Sequence, residues 1–388
     1  MIPETVRKRI SGLQPHPTYL YNLDALQHHA KQVKQHLGRV RVLYAAKANP
    51  DPQILQTLHG IVDGFEVASG GEFRHVVHHH PDAQVSFGAP SKLPADLEFA
   101  LRSGVHRIHV EGPRELVQLS DIARRLNQRA HILLRVNLGL SLPDAPLAMG
   151  GKPSPFGMDE VLLQEALTLL RKHPELVCHG VHLHLASGIR DAHRHAVLLQ
   201  EALRWFEGFT RKHHLDWHEI NLGGGMGVNY QHPEQKYDWA TLGAALQQHS
   251  HLDLRIEPGR SMVAHCGYYA TPILDIKKSH GETFLLLQGG THHFRTPAAQ
   301  GHSHPFEVIN LKTPEVQDLQ VHVVGQLCTP KDRLSSGAWI SGAAVGDWVV
   351  FPMAGAYAWN ISHTAFLMHP EPNFEHLSPQ RQELTLSS

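Results

Sequence analysis

Val40-Arg41-Val42-Leu43-Tyr44-Ala45-Ala46-Lys47-Ala48-Asn49 is a short apolar run that ends on a lysine. It is too short for a core helix and rich in strand-forming side chains, so it reads as a buried strand. Three residues later, 52–59 carries apolar positions at helical spacing behind a proline. The same couple recurs along the first 265 residues. Strands are predicted at 40–46, 62–67, 84–88, 107–110, 131–137, 180–185, 219–222 and 254–257. Amphipathic helices fall between them, among them 71–79, 94–103, 113–127 and 191–214. Eight strands alternating with helices predict a parallel (β/α)8 TIM barrel. The Gly- and Pro-rich segment 139–158 is expected to be an enlarged strand-to-helix loop, where such barrels carry functional parts.

From Gly267 the pattern changes. Strand-like runs at 268–276, 283–287, 321–327 and 348–352 are separated by Gly, Pro and polar breaks, without long helices. A mostly β second domain, β-barrel-like in its run of short strands, is expected. We therefore place the barrel at 24–266 and build the β domain from 1–23 plus 267–388. The tail after Phe374 is expected to fray.

Composition limits what the chain can do. Lys and Arg number 35 against 36 Asp and Glu, so no basic excess exists for nucleic acid or for a polybasic membrane anchor. No apolar run reaches the roughly 20 residues needed to span a bilayer. Residues 1–11 lack the apolar core of a signal peptide, and three cysteines cannot form a disulfide framework, so a reducing cytoplasm is expected. The 34 histidines include several pairs, but none has the spacing of a Cys/His zinc quartet, and no metal is expected.

The chemistry gathers at the C-terminal ends of the predicted strands, the face on which barrels place their sites. Lys47 closes the first strand, where partial desolvation makes its neutral amine available as a nucleophile. His182-Leu183-His184-Leu185-Ala186-Ser187 ends the sixth, with both histidines on one side of the strand. His184 can stack on a planar ring and Ser187 can donate to a phosphate. Gly223, Gly224 and Gly225 follow the seventh strand and allow close backbone approach to a phosphate. Glu257-Pro258-Gly259-Arg260 ends the eighth, offering a carboxylate for a protonated ring nitrogen and a guanidinium for a phosphate. Each motif alone has an ordinary structural explanation. Together they supply what pyridoxal 5'-phosphate requires: a lysine for its aldehyde, a stacking ring, a phosphate cradle and an acid for its ring nitrogen.

On these residues the chain resembles the fold-type III pyridoxal-phosphate enzymes, the group of ornithine, arginine and diaminopimelate decarboxylases, with an alanine-racemase-like pairing of barrel and β domain. Tyr44 to Asn49 resembles their cofactor-lysine motif. Leu183 to Ser187 resembles their stacking-histidine motif, with Ala186 where glycine is usual. Arg135 resembles the arginine near the ring hydroxyl, and Gly355-Ala356-Tyr357 their tyrosine motif at the phosphate. Gly325-Gln326-Leu327-Cys328-Thr329-Pro330-Lys331-Asp332 resembles the cysteine loop that reaches a partner subunit's site. The resemblance implies a homodimer with shared sites, Cys328 as proton donor and Asp332 at the substrate.

One departure is informative. Family members acting on diamino acids usually carry an acid directly after the loop cysteine; Thr329 stands there instead. Arg295 resembles the family arginine that grips a substrate carboxylate, and His292, His293, His302 and His304 lie near it in sequence. This pattern points to an anionic distal group on the substrate. Asn221 to Tyr230, Gly267 to Lys278, Val324 to Asp332 and Gly355 to Pro372 resemble the siderophore-biosynthesis branch of the staphyloferrin B type. That branch decarboxylates citryl-diaminopropionate to a citryl-ethylenediamine product. A diaminopimelate, ornithine or carboxynorspermidine decarboxylase, an amino-acid racemase and a non-catalytic cofactor carrier remain as alternatives.

Overall fold

The computed structural model describes residues 2–140, 147–148 and 153–378. Eight parallel strands close a barrel in chain order: β1 Arg41–Ala45, β2 Gly64–Val67, β3 Val85–Gly88, β4 Arg107–Val110, β5 Ala130–Val136, β6 Leu176–Leu183, β7 Glu219–Asn221 and β8 Asp253–Ile256. Arg255 and Ile256 of β8 pair with Arg41 and Val42 of β1 and complete the circle. Covered on both faces, the strands are near-continuous apolar runs, as in β1, where Val42 to Ala45 are all buried.

The intervening helices begin where their sequences dictate. Pro52, Pro94 and Pro113 occupy first-turn positions whose N–H would lack a helical partner anyway. Ser69 accepts from Glu72 N while the Glu72 carboxylate accepts from Ala68 N, a reciprocal cap on the helix Gly70–His79. Asp51, Asp159, Asp191 and Asp238 cap four more helix starts. The N-terminal ends of the strands carry a buried ion network. Glu219 takes Arg107 Nη2 at 2.8 Å and Arg255 Nη2 at 3.0 Å, and Arg255 is 1% exposed.

Contacts divide the chain into two compact units: residues 27–228 with 236–262, and residues up to 26 with 229–235 and those from 263 onward. The second unit is mostly β. Its sheet runs in the order Glu307–Ile309, Trp348–Phe351, Gly267–Ser279, Glu282–Leu287, Val316–Val324, Arg333–Ala343. Thr18–Asn22 pairs antiparallel with Gly267–Ser279 and parallel with Asn373–Leu377. The helix Glu4–Ser11 buries Val6 and Ile10, with Ile2, against Leu20, Tyr268, Trp348 and Val350.

Three expectations need correction here. The tail does not fray at Phe374: Asn373–Leu377 is a strand, and Phe374 stacks on Tyr19 at 5.6 Å. Residues 379–388 of that tail lie outside the described residues. The strand expected at 321–327 is Val316–Val324, because Leu327 N is taken by the Asp332 carboxylate and not by a neighbouring strand. The eleven-residue strand Arg333–Ala343 was not foreseen, since its serines and glycines hide any apolar alternation. Residues 141–146 and 149–152 of the segment 139–158 lie outside the described residues; its short strand Leu147–Ala148 pairs with Ala186–Ser187. Among the described residues, no helix is long and apolar enough to cross a membrane.

Candidate active site

Lys47 lies in the single turn Ala46–Ala48 that follows β1. Its Nζ is 2.6 Å from Glu66 Oε2, on β2. Burial raises the Glu66 pKa, and the Lys47 charge opposes that rise. Tyr44, on β1 itself, donates its hydroxyl to Asn49 O at 3.0 Å and so braces the turn that carries Lys47.

The ends of β6, β7 and β8 are tied into one assembly. Asn221, the last residue of β7, accepts from Gly223 N at 2.9 Å and donates Nδ2 to Glu257 Oε1 at 2.7 Å. Glu257 N in turn donates to Gly223 O. His184, half-buried just past β6, accepts from Gly224 N through Nδ1 at 3.2 Å, which places its proton on Nε2. Burial, followed by the charges of Lys47 and Arg135, holds the His184 pKa far below the usual imidazole range, so the ring is neutral.

The glycines are required by space. Gly223 has φ +69°, and a Cβ there would lie 2.3 Å from Leu183 O. A Cβ on Gly225, at φ +116°, would lie 2.8 Å from Ala186 O. Only bare backbone fits, as a phosphate cradle needs. Ser187 and Gly259 are half-buried beside this loop and after β8, and Arg260 opens the short helix Arg260–Val263.

Arg135, near the end of β5, pairs with Glu111 at 2.7 Å. The other Glu111 oxygen takes Gly157 N at 3.0 Å, and Phe156 lies 5.1 Å from the guanidinium. His182 Nε2 is 3.1 Å from Glu257 Oε2, and His109 stacks on His182 at 4.2 Å. His109, His182 and Glu257 bring donor atoms within 4.8 Å of one another, a spacing a divalent ion can use. The two imidazole planes are nearly parallel, at 15°, so their in-plane lone pairs do not converge on one point.

In the second unit Cys328 is exposed and Thr329 is half-buried. Asp332 is buried and holds the loop's base: its carboxylate takes Thr291 N at 2.6 Å and Leu327 N at 2.8 Å. Both carboxylate oxygens therefore have main-chain partners inside the unit. Arg295 is exposed, its backbone N donating to Ser362 Oγ. Tyr357 is held at φ +49°, a conformation rare for a side chain with a Cβ and common at functional sites.

His293 and His304 are not the cations expected from sequence. His293 engages Tyr269 OH through Nδ1 and Pro370 O through Nε2; His304 engages His302 through Nδ1 and Pro352 O through Nε2. Burial lowers their pKa values to about 4 and about 3, so both are neutral at pH 7. Of that group Arg295 is the exposed guanidinium.

Sequence reasoning missed Glu66, Glu111, Asn221 and His109 as site residues. A faint signal exists for each carboxylate, since Glu66 interrupts an apolar strand and Glu111 directly follows one. The pairing of His182 with Glu257 carries no local signal, because 75 residues separate them.

A lysine held by a buried carboxylate, a glycine cradle, a half-buried neutral imidazole and a buried glutamate at the C-terminal end of a (β/α)8 barrel together fit a pyridoxal-phosphate enzyme. Residues 23–264 match the pyridoxal binding domain of the pyridoxal-dependent decarboxylases. The chain is 37% identical over 386 residues to the 2-[(L-alanin-3-ylcarbamoyl)methyl]-2-hydroxybutanedioate decarboxylase of Staphylococcus aureus (strain NCTC 8325 / PS 47), covering 95% of this chain and 96% of that protein. It is 28% identical to the diaminopimelate decarboxylase of Neisseria meningitidis serogroup B (strain ATCC BAA-335 / MC58), covering 88% and 83%. The crystal structure of diaminopimelate decarboxylase from Helicobacter pylori complexed with L-lysine superposes with a TM-score of 0.85 at 26% identity, covering 96% and 94%. The chain belongs to the pyridoxal-dependent decarboxylase family. It is a decarboxylase that uses pyridoxal phosphate.

Proposed function

We propose that the enzyme decarboxylates citryl-L-2,3-diaminopropionate to a citryl-ethylenediamine product. The observation that carries this reading is the 37% identity, over nearly the whole chain, to a decarboxylase named for that citryl conjugate. Thr329 supports it, because a neutral residue after Cys328 leaves no acid to bind a distal ammonium. The enzyme works in the cytoplasm, where its three cysteines remain free thiols.

Bound pyridoxal phosphate supplies an electron sink for the pair left when the α-carboxylate departs as CO2. Lys47 is the residue that would hold the cofactor at its aldehyde carbon. Ser187, Gly224, Gly225, Gly259, Arg260 and Tyr357 would hold the phosphate, His184 would pack on the ring, Arg135 would serve the ring hydroxyl and Glu257 the ring nitrogen. Arg295 binds a carboxylate of the citryl end, and Thr329 contributes to the same substrate site. Asp332 acts at the substrate by shaping the cysteine loop. The working unit is a homodimer, and Cys328 of the partner subunit delivers the proton to the α-carbon. His293 and His304 would act at the substrate as neutral imidazoles and not as cations.

The test is a panel of citryl-diaminopropionate, diaminopimelate, ornithine and lysine, with CO2 release and the amine product measured together. The citryl conjugate should turn over fastest. Faster turnover of any free diamino acid overturns the substrate assignment.

A further inference from the structure

Glu257 is 6% exposed, and its polar partners among the described residues are all uncharged. Asn221 Nδ2 donates to Oε1 at 2.7 Å, His182 Nε2 lies 3.1 Å from Oε2, and His109 Nδ1 is 3.8 Å from Oε1. Burial keeps both imidazoles neutral. A carboxylate oxygen accepts, so His182 must carry its proton on Nε2, leaving Nδ1 a bare lone pair. Among the described residues, His182 Nδ1 and both nitrogens of His109 have no hydrogen-bond partner. A barrel interior normally avoids such atoms, and the exceptions concentrate where they serve a purpose.

We infer that His182 and Asn221 are positioning residues that hold the Glu257 carboxylate with neutral donors, so that its full negative charge faces the protonated ring nitrogen of the cofactor. His109, stacked on His182, fixes that ring's plane. This rests on the assignment of Glu257 to the ring nitrogen. The chemistry explains the choice of donors. A cation within about 4–6 Å pulls a carboxylate's pKa down by about 1–3 units, making it a poorer partner for the ring proton. An amide and a neutral imidazole orient the carboxylate without adding a charge that competes for it.

The experiment reconstitutes the apoenzyme with pyridoxal phosphate carrying 15N in its ring and follows the ring-nitrogen chemical shift by NMR from pH 6 to 9. In the native enzyme the shift should report a protonated ring throughout. His182→Phe keeps the stack on His109 but removes the donor. Its ring nitrogen should move toward the free-base shift within this range, with kcat lowered about tenfold, the worth of one hydrogen bond, and KM nearly unchanged. His182→Gln restores a donor and should recover most of both. An unchanged shift in His182→Phe, alongside a changed one in Glu257→Gln, overturns the positioning role and leaves the Glu257 assignment standing. An unchanged shift in Glu257→Gln overturns that assignment and this inference with it. Should His182→Phe fail to fold, Asn221→Ala applies the same test at Oε1.

Discussion

Lys47 Nζ rests 2.6 Å from Glu66 Oε2, with the Glu66 side chain 5% exposed. A buried carboxylate thus holds the amine at the mouth of the barrel. Lys47→Ala should fold and retain no covalent cofactor. Borohydride reduction and peptide mapping of the native enzyme should place the pyridoxyl group on Lys47; a label on another lysine sinks the assignment. Glu66→Gln keeps the shape and removes the charge. We expect kcat to fall about ten- to a hundredfold, the worth of one charge-assisted hydrogen bond.

The proposed sharing of sites between subunits has a direct test. Lys47→Ala and Cys328→Ala chains should each be inactive alone. Mixed under conditions of subunit exchange, they should regain part of the native activity, because each hybrid dimer contains one site with both groups intact. No recovery, with exchange verified by mass, places Cys328 outside the partner's site.

Specificity should respond at Arg295 and Thr329. If Arg295 grips a substrate carboxylate as proposed, Arg295→Ala should lower kcat/KM for the citryl conjugate about ten- to a hundredfold. An equal loss for every amino-acid substrate would show that Arg295 grips the α-carboxylate instead. Thr329→Glu places a negative charge beside the citryl end, and kcat/KM should fall for that substrate while turnover of a diamino acid rises.

Stability should weaken in mild acid. His195, His293 and His304 have folded pKa values lowered by burial to about 4, about 4 and about 3, below the 6.5 of an exposed imidazole. The unfolded chain therefore binds more protons than the folded one in this window, and stability falls as pH drops from 6.5 toward 4. Urea midpoints measured at pH 7.5, 6 and 5 should decline in that order. His304→Gln should lower the midpoint at pH 7.5 and flatten the decline; an undiminished slope would remove His304 from the account.

Glu219 pairs with the buried Arg255 and the half-buried Arg107 at the N-terminal end of the barrel. Glu219→Ala leaves Arg255 enclosed with Asp253, 3.1 Å from its Nη2, as its remaining carboxylate partner, and should lower the unfolding free energy. Glu219→Ala with Arg255→Met should be the more stable of the two variants, because it also removes a buried guanidinium that has lost one of its two carboxylate partners. Chemical denaturation of both reads the difference.

Lys47, His184, Gly224 and Glu257 were legible as candidates because each sits next to the end of a strand whose period and punctuation are local in sequence. Local too are the prolines and aspartates that start the barrel helices and the apolar runs that predict eight strands. The chain alone therefore determined the barrel, the face that carries the chemistry, and the cofactor.

Tertiary structure decided which residues meet. Glu66 reaches Lys47 only because β1 and β2 are neighbours in the sheet. Asn221 joins the glycine loop to Glu257, and His182 reaches the same carboxylate, only because β6, β7 and β8 end side by side. It also decided which groups are charged. His293 and His304 look like cations in a list of residues, but burial and the carbonyls of Pro370 and Pro352 make them neutral. Strand pairing between residues hundreds of positions apart turned Asn373–Leu377 from an expected tail into part of a sheet. The physical reason is common to all three. Periodicity and turn chemistry act between near neighbours along the chain, whereas desolvation and hydrogen-bond partnership depend on what folding brings alongside.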